Sequence, residues 1–220
     1  MDYQIVVGSS CDFNEKQKKE IPHATVPFVI SIDEENLVDD ESLTVDMIIK
    51  KMKNSVRAIR TACPSPNQFL EKYKEGEAIF VVTISSQLSG TYSSAMTAKN
   101  MYQEQFGEKF IHVFDSLSAA IAETMIAVKI KEYMDQNLSL DDVVAKVDEY
   151  IGELKTVFVL ENLDNLIKNG RMSRLKGMFA QFLHIKPILG ANGKGEIELI
   201  DKARGTKKAL KKLVDAIGNT

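Results

Sequence analysis

Residues 78–95 run from an unbroken apolar stretch, Ala78 to Val82, through Thr83-Ile84-Ser85-Ser86-Gln87-Leu88-Ser89-Gly90-Thr91-Tyr92 into a segment that looks helical from Ala95 onwards. Strand, hydroxyl-rich turn, helix is the simplest parse, and the rest of the chain has to accommodate it. At such a junction the first backbone N–H groups of the helix have no internal partner. Ser89 is placed to act as N-cap, and Gly90 lets a ligand come close to the main chain. The turn therefore suits an anion or a carbonyl oxygen, although a capped helix start with solvated hydroxyls uses the same residues.

The junction has company. Tyr3 to Val7 is a β-rich run ending in Gly8-Ser9-Ser10-Cys11-Asp12, and Phe110 to Phe114 predicts a strand ending in Asp115-Ser116. Lys16 to Glu20 closes a short surface helix. Ala24 to Ile32, punctuated by Pro27, reads as a strand near a sheet edge, and Asp33 to Glu41 as a solvated loop or hairpin. Val45, Ile48, Ile49 and Met52 have helical spacing behind a Thr44 cap, with an end near Asn54. Two prolines forbid helix through Ile59 to Pro66, and Ser65-Pro66 starts a new helix with Phe69, Leu70 and Tyr73 inward. Ser116 is expected to open a long, centrally buried helix through Ala119, Ala120, Ala122, Met125, Ile126 and Ile130. Leu140 to Leu154 makes another, with Val143, Val144, Val147 and Ile151 on one side. Strands alternating with helices imply a parallel sheet, whose loops at the strand carboxyl ends gather on one edge and form the usual ligand crevice.

The texture changes after a strand expected at Thr156 to Leu160. A short helix Asn162 to Lys168, a turn at Asn169-Gly170-Arg171, an apolar helix over 173–183 and a strand Ile185 to Leu189 follow. A hairpin turn Gly190 to Gly195, a return strand Ile197 to Lys202 and a helix Thr206 to Ile217 complete the pattern. The predicted fold class is α/β: a parallel-sheet, Rossmann-like N-terminal domain over 1–158, then a smaller α/β C-terminal domain over 159–220. That second domain looks incomplete, since about 60 residues is near the size at which a core becomes marginal.

Among 220 residues, 44% are apolar, enough for a proper core, and the net charge of -3 argues against a general nucleic-acid binder. No apolar run is long enough to span a bilayer, and the start Met-Asp-Tyr-Gln-Ile lacks the pattern of a signal peptide, so a cytoplasmic protein with no integral membrane segment is expected. Cys11 and Cys63, far apart and without CxxC spacing, make neither a disulfide scaffold nor a zinc site.

Together, Thr61-Ala62-Cys63-Pro64-Ser65-Pro66, the Ser85 to Tyr92 turn, Asp115-Ser116, Asn169-Gly170-Arg171-Met172, Ile185-Lys186-Pro187-Ile188-Leu189 and Arg204-Gly205 resemble the DegV family in wording and order, over essentially the whole chain. The resemblance implies a bacterial fatty-acid-binding protein of two α/β domains, with the lipid tail in an apolar tunnel and the carboxylate held at the domain junction. It also implies a fatty acid kinase as partner, to which some members present the bound acid for acyl-phosphate formation. Thr61 and Ser89 match the hydroxyls that hold the carboxylate, with Ser86 and the Gly90 N–H in the same turn. Arg171 matches the arginine of the Gly-Arg turn, and Arg204 one near the carboxylate opening, implicated in meeting the phosphate or the kinase. The sequence departs from the family pattern in three places. Val7-Gly8-Ser9-Ser10 stands where Thr-Asp-Ser-Thr is usual, Ala62-Cys63 stands where Ser and Gln are common, and a histidine that assists the serine belongs to a C-terminal stretch not contained here.

Three function classes meet these observations: a lipid carrier, a small anion-dependent hydrolase or phosphotransferase, and a structural or regulatory partner protein. An enzyme needs a general base, and the sequence offers no paired carboxylates, no metal-ligand cluster and no G-x-x-x-x-G-K-[ST] phosphate loop. His23, His112 and His184 have no spacing that recruits one of them to Cys63. A carrier with no catalytic residue, metal or cofactor, and with a long-chain fatty acid as ligand, is the expected function. The stripe Lys207, Lys208, Lys211 and Lys212 is either a solvated face or a docking surface for an acidic partner. The apolar segment Met178 to Leu183 serves equally as tunnel lining or as core.

Overall fold

A computed structural model of the chain describes residues 2–55, 57, 59–172 and 185–217. It divides into two compact units, 1–154 and 155–220. In chain order the first unit has strands β1 (Tyr3–Gly8), β2 (His23–Val26), β3 (Val29–Ile32), β4 (Glu35–Val38), β5 (Arg60–Ala62), β6 (Ala78–Thr83) and β7 (Phe110–Asp115). Its helices are α1 (Glu15–Glu20), α2 (Val45–Asn54), α3 (Pro66–Tyr73), α4 (Thr91–Phe106), α5 (Ile121–Asp135) and α6 (Leu140–Glu153). The second unit has strands β8 (Val157–Phe158), β9 (Ile185–Ala191) and β10 (Ile197–Arg204), and helices α7 (Asp164–Lys168) and α8 (Thr206–Ile217). Residues 155–158, placed with the first domain in the sequence reading, fall in the second unit, where β8 pairs with β9.

The first unit is built on a parallel sheet of order β2-β1-β6-β7. Strand side chains alternate between faces, and here both faces are covered. Ile5, Val7, Phe80, Val82 and Phe114 pack against Ile126, Ala127 and Ile130 of α5 and Val143, Val147 and Ile151 of α6. The intervening residues Val6, Ile79, Val81, Ile111 and Val113 pack against Phe69, Leu70 and Tyr73 of α3 and Ala95 and Ala98 of α4. All six positions of β6 are buried, as a central parallel strand requires. The Tyr73 hydroxyl donates to the Ala95 carbonyl at 3.0 Å and ties the two helices of that face together.

Two expectations are corrected. Ala24 to Ile32 is not one strand. Pro27 interrupts it, so β2 forms the edge of the parallel sheet while β3 turns into a separate antiparallel sheet of order β4-β3-β5, in which Ile30 lies opposite both Leu37 and Thr61. Nor does Ser116 open a helix. Leu117 and Ala120 adopt φ values of 51° and 58°, outside the helical region, and α5 starts only at Ile121.

The second unit is an antiparallel sheet of order β10-β9-β8 with α8 packed on it through Ala209 and Leu213, against Ile188 and Ala203. The apolar helix expected over 173–183 lies outside the described residues. Gly190 sits in the middle strand, where a Cβ would fall 2.5 Å from Ile200 Cδ1 and 2.7 Å from the Thr156 carbonyl oxygen. The backbone oxygen cannot swing aside, so Gly190→Ala should destabilise the second unit by about 1–3 kcal/mol through overpacking. Urea unfolding followed at β9 amides checks this. Gly193→Ala, in the following turn where a Cβ meets nothing within 4 Å, should stay within about 0.5 kcal/mol of the parent.

Candidate ligand-binding site

Parallel strands release their chains on one edge, where the last backbone groups need partners. β6 and β7 end in register, Thr83 opposite Asp115, and their exits are joined at once. The Thr83 carbonyl accepts from Ser116 N–H at 3.1 Å, and Ser85 N–H donates to the Ser118 carbonyl at 2.8 Å. The Asp115 carboxylate accepts from Ser86 N–H and Leu117 N–H, each at 3.1 Å to Oδ1. The chain then turns tightly, with the Leu88 and Ser89 amides both donating to the Ser85 carbonyl at 2.9 and 3.1 Å.

The N-cap of α4 is Gly90 rather than Ser89, because the helix begins at Thr91. Gly90 itself supplies no side-chain cap, so beyond the Thr91 N–H a helix of 16 residues presents an open amide end here. Ser89 still belongs to this end: its Oγ lies 2.8 Å from Thr91 Oγ1 and accepts from the Thr91 N–H at 3.4 Å.

The antiparallel sheet brings in a third element. A Cβ built on Gly90 would lie 3.2 Å from the Cys63 sulfur, so the chain leaving β5 passes directly over the turn. Residues two apart on an extended chain share a face, which puts Thr61 on the Cys63 side of β5. Thr61 is exposed there, opposite Ile30.

The structure thus gathers Ser86, Ser89 and Gly90 in one turn with the Thr61 strand laid against it. Arg171 and Arg204 belong to the second unit. Arg171 is half-buried in the turn after α7, its N–H donating to the Leu166 carbonyl at 3.0 Å. Arg204 ends β10 and lines a cavity of about 500 Å³ together with Leu160, Leu163, Ile185, Lys186 and Pro187. Met178 to Leu183, the candidate tunnel lining, lie outside the described residues, as does His184. His23 sits on β2 with Nδ1 2.9 Å from the Ile21 carbonyl, and His112 sits on β7 beside Phe114. Among the described residues no group of His, Cys, Asp and Glu is arranged to hold a metal ion, and no helix is long and apolar enough to cross a membrane.

Sequence reasoning missed Glu123. On the first turn of α5 it reads as an ordinary helix-start acid. In the structure it is fully buried, accepts from Ser10 Oγ at 3.1 Å and from the Ala120 N–H at 3.0 Å, and burial pushes its carboxyl up to about 8. Beside it Cys11 contacts Thr124 Oγ1 at 3.4 Å, and burial pushes that thiol up to about 12. No spacing in the sequence signals either contact, since both join residues 113 apart.

The family model described as "Uncharacterised protein, DegV family" matches residues 2–220. A DegV domain-containing protein of Streptococcus pneumoniae is 37% identical over 219 residues, which is 99% of this chain and 78% of that protein. Among solved structures, a DegV family protein from Ruminococcus gnavus, refined with vaccenic acid, is 42% identical with a TM-score of 0.95, covering 98% of this chain and 77% of its own. The fatty acid kinase (Fak) B3 protein of Streptococcus pneumoniae, loaded with linoleic acid, is 35% identical with a TM-score of 0.89 over 100% of this chain and 79% of its own. A DegV family protein from Eubacterium eligens, loaded with heptadecanoic acid, is 31% identical with a TM-score of 0.88 over 99% of this chain and 78% of its own. Motif order, parallel-sheet fold and near-complete coverage agree: the chain belongs to the DegV family.

Proposed function

We propose that this chain is a fatty-acid-binding carrier that holds a long-chain fatty acid by its carboxylate at the hydroxyl turn and presents it to a fatty acid kinase for acyl-phosphate formation. The observation that carries this reading is that relatives 31% and 42% identical, alike over nearly the whole chain, hold heptadecanoic and vaccenic acids. The local chemistry supports it. With the Ser86 amide engaged by Asp115, that residue offers its hydroxyl. Ser89 Oγ, if it accepts from Thr91, keeps its own proton for an incoming carboxylate, and Thr61 approaches from the neighbouring strand. The bare Gly90 cap leaves room for the anion at the amide end of α4. The kinase partner follows from the likeness to the Fak B3 protein. A cytoplasmic location and the absence of any resident cofactor complete the reading, with Arg204 directed to the phosphate or the kinase and Arg171 to the ligand.

Affinity in this scheme comes mainly from the tail. At ~0.8 kcal/mol per buried methylene, ten or more methylenes supply on the order of 8 kcal/mol before ordering costs. The head group sets orientation.

Organic extraction of the purified protein followed by mass spectrometry should yield a long-chain fatty acid. Folded protein that yields none and takes up none when it is added would sink the carrier reading. Arg204→Ala should leave lipid content unchanged while slowing acyl-phosphate formation in a reconstituted kinase assay. Equal loss of lipid would instead put Arg204 in the ligand pocket.

Thr61→Ala and Ser89→Ala each remove one hydrogen bond to a charged group, worth roughly 1.5–3 kcal/mol, so each should weaken fatty-acid binding by about 10- to 150-fold. A fatty alcohol of equal length is the control. Wild type should prefer the acid and both variants should lose much of that preference. Preference unchanged in the double variant would show that the carboxylate sits elsewhere.

A further inference from the structure

We propose that Glu123 is a positioning residue for the head-group turn: its carboxyl clamps the loop after β1 to the start of α5 and thereby fixes the 115–120 loop from which Ser85 and Ser86 hang. The inference rests on the carrier reading for the purpose of the turn, but its geometry stands independently. Within four residues, Leu117 (φ 51°) and Ala120 (φ 58°, ψ -122°) occupy backbone regions that residues with a Cβ rarely adopt. Such conformations persist only where the surroundings over-determine them. Glu123 supplies that determination at Ala120, whose N–H donates to Oε1 at 3.0 Å, while Oε2 accepts from Ser10 Oγ at 3.1 Å. Asp115 supplies it at Leu117. The loop held between them carries the two acceptors of the head-group turn, the Ser118 carbonyl for Ser85 and the Asp115 carboxylate for Ser86.

The side chain suits this task. From the third residue of α5 it is long enough to reach back to the cap N–H and across to a second loop at once. Burial disfavours its ionised form. Cys11 and Asp12 flank it from the β1 loop. The buried residues of α6 and β6 on this side of the sheet are Val143, Val147, Ile151, Phe80 and Val82, with the Tyr150 phenol of α6 packed against the same cluster. With burial raising the folded-state value to about 8, the unfolded chain ionises first, so wild-type stability should fall as pH rises from about 5 to 8.

The test uses Glu123→Ala, which removes both contacts, and Glu123→Gln, whose amide oxygen still accepts from Ala120 and whose NH₂ still reaches Ser10. In unliganded protein, amide hydrogen exchange at Ser85, Ser86 and Leu117 should rise at least tenfold in the alanine variant, with Val6 and Val81 in the sheet unchanged, and should be rescued by glutamine. Acid-over-alcohol preference should fall by about tenfold in the alanine variant and be retained in the glutamine variant. Wild-type preference should drop roughly five- to tenfold between pH 7 and 9, as a like charge appears in the network behind the turn, while the glutamine profile stays flat. Should Glu123→Ala fail to fold, Ser10→Ala removes one clamp and should raise exchange at the same amides by a smaller factor. Amides that stay protected in whichever of these two variants folds, or a wild-type pH profile matching that of glutamine, overturn the inference. Wild type that binds neither acid nor alcohol defeats the carrier reading instead, and the exchange measurement still decides the role of Glu123.

Discussion

The hydrogen bond from the Ser85 amide to the Ser118 carbonyl, 2.8 Å long, joins two loops that leave neighbouring parallel strands, and the geometry of the site follows from it. Parallel strands end together, so backbone groups at their exits must find partners outside the ladder or stay unsatisfied in a partly buried setting. Ser116 pairs with Thr83, Ser85 with Ser118, and Ser86 with Asp115. Once these amides are engaged, and those of Leu88 and Ser89 have folded back on the Ser85 carbonyl, the turn offers side-chain hydroxyls and the amide end of α4. The requirement that shapes the turn also decides which donors a ligand would meet there.

Where local chemistry suffices, the sequence was legible. Thr44 caps α2 by accepting from the Met47 N–H at 3.3 Å, and Ser65-Pro66 opens α3, its Ser65 N–H held by Gln68 Oε1 at 2.8 Å. The alternation of Ile5 and Val7 with Val6 onto opposite faces of β1 is the period of a strand and needs no tertiary information. β5 had no such signal. It is three exposed residues, Arg-Thr-Ala, with no apolar period, and it exists because β3 offers it a ladder. Long-range pairing of this kind cannot be read from a short window. The start of α5 failed for a related reason. Ala119 and Ala120 are good helix formers, yet the contacts of Asp115 and Glu123 hold the backbone out of the helix.

The candidate site shows the same division. Ser86, Ser89 and Gly90 announced themselves as a hydroxyl turn before a helix. Thr61 entered only through family resemblance, because what carries its strand to the turn is the packing of Cys63 on Gly90, a contact between residues 27 positions apart in sequence. Glu123 was silent for the opposite reason: an acid in a first helical turn is so ordinary that its burial carries the information, not its identity.

Gly90 shows how these constraints meet in one residue. At an N-cap, glycine in place of serine or asparagine costs only about a few tenths of a kcal/mol, so α4 loses little by having no side-chain cap. A serine there would place a Cβ and a hydroxyl in the space left for a ligand at the amide end. Its Cβ would also sit 3.2 Å from the Cys63 sulfur, pressing β5 away from the turn and taking Thr61 with it. One missing Cβ therefore keeps the amide end of α4 open and lets the strand carrying Thr61 come down over it. A larger residue would crowd the amide end and lose the close approach.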